Sequence, residues 1–320
     1  METYKEQWTG KVLEVTIGAT AAEGGTRVAA VRIGGETTLP FYLFEGEMPH
    51  MPVIAMEIFD RPPHDAPGAL AEVFSDVWDD AARWAEKCVA SFGAEMICLN
   101  LISTKPDEED SGPGEARETV RRVLGAVKVP LVIRGPGVAE KDNLIIPAVS
   151  EEAKGERVLL GAAVQENYRE AVRTALANGH CLIAESPIDI NIAKQTNILL
   201  GDEGLPLDRV VMDPTTGGLG YGLEYTYSIM ERARIAALGG DRVLGCPFVN
   251  FVGYEAWHAK EAKADNPQWG ERNRRGALWE AMTALAFLQA GSDLLVMHHP
   301  AAVSLVRKAI LDLRGGTSTR

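Results

Sequence analysis

Eight short apolar runs recur along the chain, at 52–60, 95–101, 129–135, 157–163, 180–186, 209–214, 242–250 and 292–299. Almost every one precedes a segment whose apolar residues fall at helical spacing. Short runs rich in Val, Ile and Leu suit strands covered on both faces. Strands that alternate with helices build a parallel sheet, and eight such units point to one closed (β/α)8, or TIM, barrel. The 320 residues are enough for a core of that size. Barrels of this architecture carry their sites on the loops after the strands, so the search for function starts at eight places.

Residues 1–50 break the pattern. The stretches 11–17 and 27–33 alternate apolar and polar residues, with Gly24 and Gly25 between them and Gly34 and Gly35 after, before the apolar stretch 39–44. That reads as a small antiparallel hairpin or meander ahead of the first barrel strand. It could cover the barrel floor or form a protein contact. The organisation expected is a β extension over 1–50, a barrel over 51–314 and a frayed polar tail over 315–320. Val73, Val77, Ala81, Ala85 and Cys88 predict one helical face that ends near Gly93. Ser186 with Pro187 resembles an N-cap followed by a first-turn proline.

Charge and cysteine content exclude several classes. A formal net charge of -13 disfavours nucleic acid and anionic membranes as partners. The opening residues lack a signal-type apolar core, and no stretch nears the roughly 20 apolar residues of a spanning helix. A cytoplasmic protein is expected. Cys88 is placed on a helix and Cys98, Cys181 and Cys246 on strands, as small buried hydrophobes without a C-x-x-C pair. His298 and His299 are adjacent, so at most one can face the barrel mouth, and no ligand-spaced set accompanies them. No metal site is expected. No G-x-S-x-G elbow supports a serine hydrolase.

The most distinctive segment is 212–222, MDPTTGGLGYG, which follows the sixth run and opens a helix. It lacks the lysine of a P-loop and the spacing of a dinucleotide fingerprint. It could be a plain turn. The favoured reading is a loop cradling a large ligand rich in amides or phosphates, with backbone N–H groups and threonines as partners. Polar residues also end the runs: Glu57, Asn100, Arg134, Gln165, Glu185, Asp213, Asn250 and His298. Strand ends in a barrel read as site-facing, although such groups also bond neighbouring loops. Two long irregular connections, 103–114 and 252–270, leave the same rim. The acidic run at 107–110 reads as solvated or as a patch for a basic partner. Tyr254, Trp257 and Trp269 suggest a protein interface, with core packing as the alternative.

The string 212–222, together with WTGKVLEVTIGAT at 8–20 and NLISTKP at 100–106, resembles the small subunit of the corrinoid/iron–sulfur protein. That subunit is similar to the delta subunit of acetyl-CoA decarbonylase/synthase. The likeness spans residue 8 to about residue 313. It implies a barrel subunit paired with a large subunit that carries a [4Fe-4S] cluster and a corrinoid-binding domain. The barrel mouth would cover the corrinoid. The pair would carry a methyl group from a methyltetrahydrofolate-dependent methyltransferase to acetyl-CoA synthase, in the carbon-fixing acetyl-CoA (Wood–Ljungdahl) pathway of an anaerobe. The chain also lacks a D-x-H-x-x-G string, so no cobalt ligand is expected from it. On this reading Asn100, Asp213, Thr215, Thr216, Gly217, Gly218, Gly220 and Tyr221 contact the corrinoid, and no residue is catalytic. The close rival is a pterin-dependent TIM-barrel methyltransferase, with Asn100, Asp213 and Asn250 on the pterin. A phosphate-binding isomerase or aldolase lacks a phosphate grip after the last two strands.

Overall fold

The computed structural model describes residues 4–64 and 66–315. The expected tail at 316–320 lies outside the described residues. Two strands, β1 (Glu14–Ile17) and β2 (Val31–Gly34), pair antiparallel as a hairpin. Eight parallel strands follow: β3 (Val53–Phe59), β4 (Met96–Asn100), β5 (Leu131–Arg134), β6 (Leu159–Ala163), β7 (Cys181–Glu185), β8 (Val210–Asp213), β9 (Phe248–Phe251) and β10 (Ser292–Met297). They close in sequence order, with β10 pairing β3. This is the TIM barrel with an N-terminal hairpin that the alternation predicts.

Two cores share the strands. Outward residues such as Ile97, Leu131 and Leu160 pack against the helices. Inward residues such as Met96, Cys98, Val132, Ile183, Val211 and Val296 fill the barrel, and Val15, Ile17 and Ile33 of the hairpin join that inner cluster. The hairpin therefore plugs one end of the barrel with apolar side chains.

Two buried arginines fasten the plug. Arg27 pairs with Glu156 at 2.8 Å and donates to the carbonyls of Val127 and Leu124. Arg234, on helix Leu223–Leu238, binds Glu36 and Asp293, each at 3.0 Å. Glu36 follows the hairpin and Asp293 opens β10, so one guanidinium ties the extension to the barrel wall.

Several local expectations change, each for a hydrogen-bonding reason. The apolar face from Val73 to Cys88 is two helices, Gly68–Phe74 and Ala81–Phe92. Asp80 restarts the helix by accepting from the Ala82 and Arg83 amides at 3.0 and 3.3 Å. Asp189, not Ser186, caps Ile190–Asp202 in the same way. β9 begins only at Phe248, because Asp241 holds the Val243 and Leu244 amides in a turn that competes with a strand. Cys246 consequently lies ahead of the strand, although it is buried. Residues 39–44 form turns rather than a third hairpin strand.

Replacing Arg234 by Leu would leave Glu36 and Asp293 buried without their cation. A loss of about 3–5 kcal/mol is expected in urea unfolding, the usual cost of breaking a buried ion network. A loss below about 1 kcal/mol, the value of a surface pair, would show that the network does not hold the plug.

Candidate functional site

Strand phase decides which polar groups reach the mouth. Successive residues of a strand face opposite sides, so inward positions recur every second residue. Ala55, Cys98, Val132, Ile183, Val211 and Val296 are inward. Two residues on, in the same phase, stand Glu57, Asn100, Arg134, Glu185, Asp213 and His298. Each inward apolar stack ends in a polar group at the same end of the barrel. Asn250 is out of phase, because Val249 and Phe251 point inward. Its amide packs on the Met230 sulfur at 3.6 Å, within the helix layer. Gln165 lies beyond β6 and meets Gln195 at 3.3 Å. Neither belongs to the mouth.

The mouth holds a cleft of about 230 Å³ lined by Asn100, Lys105, Arg134, Glu185, Asp213, Thr215, Thr216, Phe251, Tyr254 and Glu255. A smaller one of about 90 Å³ adjoins it across Asn100, Lys105 and Tyr254 and reaches His298. Lys105, Phe251, Tyr254 and Glu255 are lining residues that sequence reasoning did not place there. For Phe251 the signal was available, as the inward phase continued one residue past Asn250. Lys105 sits on the first rim connection and Tyr254 and Glu255 on the helix Val252–His258 of the second, where no periodicity singled out these side chains.

The polar ring is internally bonded. Asn100 donates to Glu57 at 3.0 Å, and His298 directs Nε2 at the other Glu57 oxygen. Burial pushes the Glu57 carboxyl up, but the His298 charge and hydrogen bond outweigh it and leave the group below its ordinary range. Arg134 reaches Glu185 at 3.5 Å and lies 3.8 Å over the Phe251 ring. Burial opposes its charge, while Glu185, Asp213 and Glu57 outweigh burial and hold it protonated. Asp213 goes the other way. Burial, then the Glu185 charge, raises it to about 8 against the pull of Arg134. Burial and Glu185 thus push the Asp213 carboxyl toward its neutral form beside a paired guanidinium.

The glycine-rich string is a rigid double turn. Thr215 has φ 60°, a strained value for a non-glycine residue, and three bonds hold it. Its N–H donates to Asp213 at 3.0 Å, its hydroxyl donates to the Ser186 carbonyl at 2.6 Å, and its carbonyl accepts from Thr226 at 2.7 Å. Thr216 accepts from the Phe251 N–H at 2.9 Å. A side chain at Gly217 would place Cβ 2.5 Å from the Gly222 carbonyl, so close approach requires glycine there. Thr215 and Thr216 line the cleft, whereas Gly217, Gly218, Gly220 and Tyr221 do not. Those four fold back at the rim, where Trp279 donates to the Leu219 carbonyl at 3.0 Å and Tyr221 donates to Glu261 at 3.1 Å.

The connection 252–270 is not irregular. It contains the helices Val252–His258 and Lys260–Lys263 and the 3-10 turn Pro267–Trp269. Trp257 is core rather than interface, being 3% exposed with its indole bonded to Glu280 at 2.8 Å. Tyr254 and Trp269 are exposed. The acidic run is tied down as well. Glu108 and Glu109 pair with Arg61, and Asp110 pairs with Lys141. Of the adjacent histidines, His298 faces the mouth and His299 caps helix Pro300–Leu313, accepting from Ala301 at 3.1 Å.

The family described as CO dehydrogenase/acetyl-CoA synthase delta subunit matches residues 14–314. The chain belongs to this family. It is 42% identical to the acetyl-CoA decarbonylase/synthase complex subunit delta of Archaeoglobus fulgidus, covering 99% of this chain and 72% of that relative. The counterpart from Methanopyrus kandleri is 39% identical over 97% of this chain and 77% of its own length. Among solved structures, a dihydropteroate synthase of Xanthomonas albilineans with 4-aminobenzoic acid aligns at TM-score 0.58 and 14% identity, covering 88% of this chain and 100% of that one. The Coxiella burnetii dihydropteroate synthase in complex with pteroic acid gives TM-score 0.57 at 12% identity, covering 87% and 98%. At such identities the likeness shows the fold alone. Among the described residues of this delta-family chain, no helix is long and apolar enough to cross a membrane.

The raised Asp213 carboxyl makes a prediction about pH. Its ordinary value is 3.8 and its folded value about 8, so between them the folded state holds a proton that the unfolded chain has released. The stability contributed by this group must therefore fall as pH rises through that window. Asp213→Asn, a neutral isostere, should abolish that part of the slope. Urea midpoints of both proteins at about pH 5 and about pH 8 read the difference. Parallel profiles would show that Asp213 is ionised in the folded state.

Proposed function

We propose that this delta-family chain is the small, non-catalytic subunit of a heterodimeric corrinoid/iron–sulfur methyl carrier, and that its barrel mouth covers a corrinoid held chiefly by the large subunit. The observation that carries this reading is the build of the mouth. A polar floor has exposed apolar side chains on the segments that follow four of the strands: Val138, Ile188, Tyr221 and, on the helix after β9, Tyr254. Soluble surfaces seldom gather such groups around one opening unless something covers it.

The residues fit a corrin in this arrangement. Enclosed sites for drug-sized ligands measure about 300–1,000 Å³. A cleft of about 230 Å³ cannot swallow a macrocycle. The ring would lie across the rim, with its amide-bearing arms reaching Asn100, Asp213, Thr215 and Thr216. Asn100 and protonated Asp213 both donate and accept, as amides require. Gly217, Gly218, Gly220 and Tyr221 would meet the ring edge from the folded-back turn. The mouth histidine is engaged with Glu57, consistent with a covering rather than a ligating role. When bound, the corrinoid would supply the cobalt that carries the methyl group. This chain's part is to exclude water and to move aside when donor or acceptor docks.

Burial pushes the Cys88 and Cys246 thiols up to about 12 and Cys181 to about 11. Cys98 rises for the same reason. These thiols pack as apolar groups, so the reading assigns the [4Fe-4S] cluster to the large subunit. The partners proposed are that large subunit, a methyltetrahydrofolate methyltransferase and acetyl-CoA synthase, in the cytoplasm of an anaerobe. The rival methyltransferase reading loses Asn250, one of its three pterin residues, to the helix layer.

Charges on the rim test the covering role. The double variant Ile188→Asp, Tyr254→Asp, coexpressed with the large subunit, should bind it at least about tenfold more weakly, the cost of roughly 1.4 kcal/mol of lost contact. The copurified pair should also lose cobalt. Unchanged pairing and cobalt content would remove the proposal.

A further inference from the structure

The plugged end of the barrel carries a cavity of its own, away from the mouth. It measures about 380 Å³, inside the range of small-molecule sites. Its walls come from the turns at 39–44 and from helix Leu223–Leu238, and the last residues of helices Arg272–Ala290 and Pro300–Leu313 close it. Four aromatic residues line it: Phe41, Tyr42, Phe44 and Tyr227. Tyr42 and Phe44 are each 47% exposed, so these rings stay in reach of solvent.

The turns hold their rings in place before anything binds. Phe41 has φ 62°, a conformation that a residue of that bulk rarely adopts. Its N–H donates to the Met48 sulfur at 2.9 Å. The Thr38 hydroxyl donates to the Tyr42 carbonyl at 3.2 Å, and the Trp8 indole N–H donates to Glu45 at 3.1 Å, just past the turns. Backbone strain sustained by surrounding bonds is characteristic of ligand clamps. The Tyr42 and Phe44 rings stand 5.4 Å apart and tilted by 55°, so they make a corner rather than a stack. Tyr227 comes from the barrel side, four residues before Glu231 on one helix, which puts both side chains on the same face.

Charge decides what such a corner can hold. Arg234 lines the cavity, but its guanidinium is committed to Glu36 and Asp293. Glu231 lines it too and forms no ion pair among the described residues. The uncompensated charge is therefore negative, and aromatic rings carry negative faces.

We propose that this cavity binds a small organic cation bearing an alkylated ammonium group, packed against Phe41, Tyr42, Phe44 and Tyr227 with Glu231 as its counter-charge. Alkyl groups cover the charge of such a cation, so it sheds water more readily than a bare, strongly hydrated ammonium and rests on rings as an apolar body. An anionic ligand would meet Glu231 and find no uncommitted cation. The site stands at the opposite end of the barrel from the proposed corrinoid cover and does not depend on it.

The test is equilibrium dialysis of the full-length chain, without corrinoid or partner, at low salt and neutral pH, against choline as the probe. Its neutral isostere, with carbon in place of nitrogen (dimethylbutanol), is the control. Choline should bind saturably, and the isostere at least about fivefold more weakly, the fold-change expected of cation–π attraction at a part-exposed site. Tyr227→Leu and the double variant Tyr42→Leu, Phe44→Leu keep apolar bulk but lose the rings. Each should weaken choline about fivefold and leave the isostere within about twofold. Tyr227→Phe keeps a ring and should bind choline as the wild type does, which separates loss of the ring from a folding defect. Glu231→Gln should cost about threefold at low salt and nothing at high salt. Absence of saturation, equal binding of choline and its isostere, or choline binding indifferent to both leucine variants would each overturn the proposal. Parallel loss of both probes in the leucine variants would overturn the cation assignment, since it would mark a plain apolar pocket. An unchanged Glu231→Gln would overturn the role of that carboxylate. None of these outcomes bears on cobalt content or large-subunit pairing, which test the covering role separately.

Discussion

A parallel sheet that closes on itself leaves two ends and no edges, and everything else here follows from how this chain treats those ends. Inward side chains have nowhere to go but the barrel axis. They must be apolar along its length, and a polar one survives only where an end gives it partners or water. The hairpin seals one end with Val15, Ile17 and Ile33. Arg27 and Arg234 lock it there through buried ion pairs and carbonyl contacts. Polarity is thereby confined to the opposite end, where Glu57, Asn100 and His298 form one bonded group, Arg134 and Glu185 a second, and Asp213 stands beside them.

Crowding that ring into a nearly dry mouth gives its members different electrostatic fates. Arg134 remains charged because several carboxyls surround it. Glu57 remains ionised because His298 and Asn100 serve it. Asp213 has only a backbone amide as a direct partner, and Glu185 is close, so it takes up a proton. The chamber is thus close to neutral although five of its lining side chains, Lys105, Arg134, Glu185, Asp213 and Glu255, are acids or bases of full strength in water. That suits contact with neutral amides better than capture of a phosphate.

Much of this was legible in the sequence. The fold showed because buried parallel strands leave uninterrupted apolar runs, and the extension showed because its alternation differs from them. The family showed in the string at 212–222. Four of the residues expected at the site, Asn100, Asp213, Thr215 and Thr216, do line the cleft. What was not legible depended on competition between local bonds. Asp80, Asp189 and Asp241 start helices or hold turns at places where apolar periodicity alone runs on. Asn250 looked like its neighbours until the phase of β9 was fixed by Val249 and Phe251. Trp257 looked like a surface aromatic, but the carboxylate that receives its indole N–H lies 23 residues away. The glycines at 217–222 read as a supple cradle, yet at Gly217 and Gly218 the turn packs backbone on backbone. Their effect is to present Thr215 and Thr216 to the mouth.

The covering role rests on one face of the barrel being the face that meets the large subunit and its corrinoid. Amide hydrogen exchange, measured on the full-length chain alone and in the assembled, cobalt-containing pair, reads that face directly. Slowed exchange confined to the strand-to-helix connections, above all 214–222 and 252–258, with the hairpin at 14–34 unchanged, is the expected pattern. Slowing centred on the hairpin end, with the mouth left as it is in the isolated chain, would contradict it.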